Sequence, residues 1–63
     1  MSALKNFRHE KKQTAQGFAN LLGISLSYWL KLEYEVKKPS RGIIEGILHH
    51  YPDADIMQIC FGR

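Results

Sequence analysis

Thr14-Ala-Gln-Gly-Phe-Ala-Asn-Leu-Leu-Gly-Ile-Ser-Leu-Ser-Tyr-Trp-Leu-Lys-Leu-Glu33 is the stretch that decides the fold. Ala15, Phe18, Ala19 and Leu22 fall at i, i+3, i+4 and i+7, the spacing of a single apolar stripe on a helix. Thr14 precedes the stripe as an N-cap, and Gly23 follows it where a left-handed C-cap residue belongs. Ser25 then caps a second helix, in which Trp29, Leu32, Glu33 and Val36 repeat the spacing. A turn this short keeps the two helices from running parallel. The second crosses the first steeply and retains one free face.

Outward from this pair, the spacing predicts three more helices. One runs from about Ser2 to Lys11, with Leu4, Phe7, Arg8 and Lys11 on one side. After the break at Lys37-Lys38-Pro39-Ser40, Ser40 caps a fourth helix whose inward residues are Ile43, Ile44, Ile47, Leu48 and Tyr51. Tyr51-Pro52-Asp53 ends it, because proline disfavours a helical residue before it. Asp53 is expected to cap a last short helix carrying Ile56, Met57, Ile59, Cys60 and Phe61. No segment alternates with a period of two, so the expectation is an all-α fold with short connections.

The chain has 63 residues, which allows a single small domain near the lower size limit for independent folding. Nine Lys and Arg against six Asp and Glu give a formal charge of +3, which favours a nucleic-acid partner only mildly. The lone Cys60 excludes an internal disulfide and fits a reducing compartment. No apolar run approaches the roughly 20 residues of a membrane span. Met1-Ser-Ala-Leu-Lys5 lacks the apolar core of a secretory signal, so a cytoplasmic location is expected. His49 and His50 point about 100° apart on a helix, and no CxxC or HxxxH spacing occurs, so neither metal nor cofactor is expected. No spare polar cluster converges on a pocket, and an enzyme is not expected.

The register Leu4, Phe7, Arg8, Thr14, Phe18, Ala19, Leu22, Gly23, Ile24, Ser25, Trp29, Leu32, Glu33, Pro39, Ser40 resembles the Cro/CI-type (Xre-like) helix-turn-helix family of phage repressors and their bacterial relatives. The resemblance covers nearly the whole chain and needs no gap from Arg8 to Ser40. It implies a compact five-helix, all-α domain of the lambda-repressor type over residues 1–63, with the helix-turn-helix proper at about 14–34. It also implies a DNA-binding transcriptional regulator that lays its third helix in the major groove.

Several site roles follow from this resemblance. Arg8 and Glu33 would form a partly buried salt bridge between the first and third helices. Leu26, Ser27, Leu30 and Lys31, with Tyr28 beside them, would meet base edges. Lys31 would donate to guanine O6 and N7, Ser27 would bond to several bases, and Leu26 would pack on a thymine methyl. Gln16, opening the second helix, would contact the phosphate backbone. Independently of the resemblance, Lys37, Lys38 and Arg41 cluster where the free N–H groups after Ser40 and the helix dipole favour an anion. A near-palindromic operator read by a homodimer is the expected mode of binding. Tyr51, Pro52, Ile56, Met57 and Phe61 are candidate dimer contacts that serve equally well as core.

Three residues depart from the family pattern. Ala15 stands where the family usually has a phosphate-binding glutamine. Gly17 within the second helix costs about 1 kcal/mol relative to alanine. Glu35 takes the place of a helix-ending glycine, so that turn must strain or differ, and it brings a negative charge near the phosphate track. A rival reading keeps the fold and changes the partner. Leu26, Tyr28, Leu30 and Tyr34 make an apolar free face suited to another protein, as in an anti-repressor or antitoxin.

Overall fold

The computed structural model describes residues 2–62, and their order is α1 (Ala3–Glu10), α2 (Ala15–Leu22), α3 (Leu26–Glu33), α4 (Arg41–His50) and α5 (Ile56–Phe61). The fold class is all-α. Each helix begins at a side chain that accepts a hydrogen bond from the backbone N–H three residues on. Thr14 takes the N–H of Gly17 at 2.9 Å, Ser25 that of Tyr28 at 3.1 Å, and Ser2 that of Lys5 at 3.2 Å. Ser40 takes the N–H of Ile43 at 3.4 Å and Asp55 that of Gln58 at 3.3 Å. Such a cap contributes about 1 kcal/mol, a large share for helices this short.

The helix ends are equally regular. Gly23 closes α2 with φ +70°; its N–H reaches the Asn20 carbonyl at 3.2 Å, and the Ile24 N–H reaches that of Ala19 at 3.0 Å. The same pair of bonds closes α1 and α3. Lys12 (φ +57°) and Glu35 (φ +62°) hold the left-handed position there. Lys12 and Gln13 donate to His9 and Arg8 at 3.0 and 3.2 Å, and Glu35 and Val36 to Leu32 and Lys31 at 3.2 and 2.9 Å. Glu35 therefore adopts the left-handed conformation that glycine takes most readily and a β-carbon disfavours.

Trp29, Phe18, Leu32 and Ile47 are fully buried, and Leu4, Phe7, Ala19, Ile43 and Ile59 complete the core. Its centre is aromatic. The Phe18 ring lies 5.0 Å from Trp29 and 6.1 Å from Phe7, and Tyr51 stacks on Phe18 at 5.8 Å. Helices α2 and α3 make the most extensive contact, and α1 bridges α3 to α5. Helix α4 approaches α2 at Gly46, where an added β-carbon would lie 3.0 Å from Leu22 Cδ2. Lys11 is exposed, yet its ammonium sits 5.3 Å and 5.2 Å from the Phe7 and Tyr51 ring centroids, a cation lying over the outer edge of the core.

Three expectations are corrected. The cap of α5 is Asp55 rather than Asp53. Pro52 and Asp53 occupy the middle of a turn closed by the Ala54 N–H on the Tyr51 carbonyl at 3.0 Å, which delays the helix by two residues. Val36 does not extend the α3 stripe; the left-handed Glu35 ends the helix first and leaves Val36 70% exposed. Leu48 lies at the edge of the α4 stripe and is 37% exposed, while Ile43 and Ile47 carry the burial.

Candidate nucleic-acid interface

Helix α3 is held by three buried residues on one side, Trp29, Leu32 and Glu33. Glu33 is a charge inside the core, and its surroundings satisfy it. Arg8 Nε donates to Glu33 Oε2 at 2.6 Å, and a second guanidinium nitrogen donates to Oε1 at 3.3 Å. The indole N–H of Trp29 donates to the same Oε2. The third Arg8 nitrogen donates to the Gln13 carbonyl at 2.9 Å in the turn that leads into α2. The pair expected between Arg8 and Glu33 is thus a network that ties α1, the α1–α2 turn and α3 together. Sequence reasoning overlooked the Trp29 bond, although an indole four residues before a glutamate on one helix face has the spacing for it. With all three nitrogens engaged, Arg8 has no guanidinium nitrogen left without a partner.

With that side fixed, Ser27, Lys31 and Tyr34 point to solvent. Leu26 and Leu30 are half-buried on the flank, and Tyr28 is half-buried with its side chain against the core. The five residues expected to read bases therefore share α3 but differ in reach: Ser27 and Lys31 are free, Leu26 and Leu30 offer partial surfaces, and Tyr28 is committed inward.

The cations follow directly. Lys37 and Lys38 are exposed on the α3–α4 loop, which reaches the start of α4 through Pro39 and the capping Ser40. Arg41 is in the first turn of α4 and almost wholly exposed, with Nε 3.2 Å from Glu45 on the next turn. An exposed pair of this kind is weak and leaves the guanidinium available to other anions. The Ser40 hydroxyl accepts the Ile43 N–H, which leaves its own O–H and the preceding N–H groups of the first turn as donors open to an anion. Gln16 belongs to α2. It is exposed, with its side-chain amide bonded to Asn20 Oδ1 at 2.9 Å.

The candidate dimer residues divide. Tyr51 packs edge-on against Phe7 at 5.4 Å as well as on Phe18, and half-buried Ile56 rests against the core. Pro52 is exposed, as are Met57 (54%) and Phe61 (45%) one helical turn apart on α5. Among the described residues, no three His, Cys, Asp or Glu side chains come together as metal ligands, and no helix is long and apolar enough to cross a membrane. Cys60 is half-buried, and burial pushes its thiol above the ordinary range.

Fold and site together define a small all-α domain built on two capped helices joined by a glycine turn, with a polar-edged third helix and a cationic loop after it. No family model, curated protein or solved structure matches this chain.

Proposed function

We propose that this chain is a sequence-specific DNA-binding transcriptional regulator of the Cro/CI helix-turn-helix kind, acting as a homodimer on a near-palindromic operator. The observation that carries the reading is the placement of α3. One side is locked by Trp29, Leu32 and Glu33, Ser27 and Lys31 are free on the other, and Lys37, Lys38 and Arg41 follow within one loop and one helical turn. A helix of eight residues is about 12 Å long, which fits across the major groove. The loop cations and the open N–H groups of α4 would then fix the register on the phosphates. Lys31 and Ser27 supply hydrogen bonds to base edges, and Leu26 and Leu30 supply apolar contact to thymine methyls.

Selection of the purified chain against random-sequence duplexes, with affinity followed at two salt concentrations, tests this reading. Enrichment of a two-fold symmetric motif whose affinity falls steeply with salt is the expected result. A folded protein that enriches nothing would defeat it. One observation favours a second reading in that event. Leu26 and Leu30 are half-exposed and Tyr34 is 69% exposed, so the free side of α3 also suits a protein partner.

A further inference from the structure

We propose that Glu35 sets the affinity of the α3–α4 loop for the nucleic-acid backbone, acting as a built-in brake on phosphate binding. The inference rests on the DNA-binding reading above. Glu35 occupies a left-handed position, φ +62°, that glycine takes without strain, so the side chain is present at a local conformational cost. It is exposed and lines the same groove as Lys37, Lys38 and Pro39. Between residues 35 and 41 the chain carries three cations, Lys37, Lys38 and Arg41, against this one carboxylate. Among the described residues, the ion pairs are Arg8 with Glu33 and Arg41 with Glu45, so neither loop lysine is held in an ion pair with Glu35. A full negative charge therefore stands beside the cations that would meet the phosphates.

Its effect is modest and has a definite sign. A unit charge about 8 Å from one or two phosphates in water changes affinity by about two- to fivefold per half-site. The effect fades as the Debye length contracts below about 10 Å above 0.1 M salt. The carboxylate thus trades affinity for release, keeping the loop from holding any duplex too strongly.

Two variants separate charge from strain. Glu35→Gln keeps the side-chain length and the left-handed backbone but removes the charge. Binding to the symmetric duplex selected by the wild type should tighten about two- to fivefold per half-site at low salt, or about 4- to 25-fold for a dimer engaging both, with the thermal midpoint unchanged. Glu35→Gly removes both, giving the same gain in affinity and a midpoint raised by about 4–8 °C. If the wild type binds duplex with salt dependence while Glu35→Gln binds no more tightly, the brake is refuted and the DNA reading stands. Weaker binding by Glu35→Gln would also overturn it, since the carboxylate would then be making a favourable contact. A wild type without salt-dependent duplex binding would remove the DNA reading and this inference with it.

Discussion

Replacing Arg8 with methionine should come close to unfolding this protein. The substitution keeps most of the aliphatic volume and removes the guanidinium that makes two bonds to Glu33 and one to Gln13. Glu33, whose side chain is 2% exposed, would keep only the Trp29 indole as a partner. Taking one partner from a buried ion pair costs about 3–5 kcal/mol, because the remaining charge is neither solvated nor compensated. At roughly 0.05–0.15 kcal/mol per residue, a chain of 63 residues has a total stability of about 3–9 kcal/mol. The perturbation is therefore of the same order as the whole. Adding Glu33→Gln in the same chain should recover at least about 1 kcal/mol. The amide still accepts the indole N–H and is uncharged, although its own N–H groups lose partners. Urea denaturation followed by far-ultraviolet circular dichroism on the wild type, both single variants and the double variant gives the interaction energy directly. An Arg8→Met chain within about 1 kcal/mol of the wild type, or a double variant no more stable than Arg8→Met, would refute the reasoning. Should Arg8→Met fold normally and lose duplex affinity instead, Arg8 would be a phosphate ligand first.

Three further outcomes are expected. Lys38→Ala and Arg41→Ala should each weaken binding to all duplex sequences and reduce the slope of log affinity against log salt by about 1; a change in base preference alone, seen by repeating the selection, would contradict the phosphate assignment. Lys31→Ala should relax preference at one base pair of each half-site, and unchanged selectivity there would take Lys31 out of the reading set. Lys12→Gly should raise stability by about 1 kcal/mol, or about 4–8 °C in thermal midpoint, by relieving the left-handed backbone at the end of α1; a lower midpoint would mean that the cation over Phe7 and Tyr51 depends on that residue more than on helix geometry.

The residues that the sequence made legible act locally. Thr14, Ser25 and Ser40 cap because a short hydroxyl side chain can reach the N–H three residues on, whatever lies elsewhere in the chain. Gly23 ends α2 for a reason contained in its own φ. Asp53 and Asp55 illustrate the limit. Both are competent caps two residues apart, and the choice fell to the turn that Pro52 imposes. Where tertiary contact decides, spacing alone misled. Val36 continues an apolar stripe in sequence but meets no neighbour that covers it, and Leu48, at the edge of its stripe, is covered only in part. Tyr51 ends the α4 stripe in a capping position and packs inward because Phe7 and Phe18, from two other helices, offer a surface for its ring.

The same distinction governs the interface. The buried side of α3 is determined within the chain, since Trp29, Leu32 and Glu33 have their partners in α1 and the core and any misplacement leaves a charge or an indole N–H unsatisfied. That constraint fixes the rotation of α3 about its own axis, and with it the set of residues that face outward. Ser27, Lys31 and Tyr34 are thus positioned by residues they never touch. Their chemistry toward a partner is a different matter: nothing in the fold selects it, because an outward side chain contributes little to folding. Only the local charge bears on the choice, through Lys37, Lys38 and Arg41 on one side and Glu35 on the other. The position of the face is therefore a property of the core, and the identity of the partner is carried by a handful of exposed charges, which is why substitutions in those charges discriminate between a DNA and a protein partner better than any change in the core.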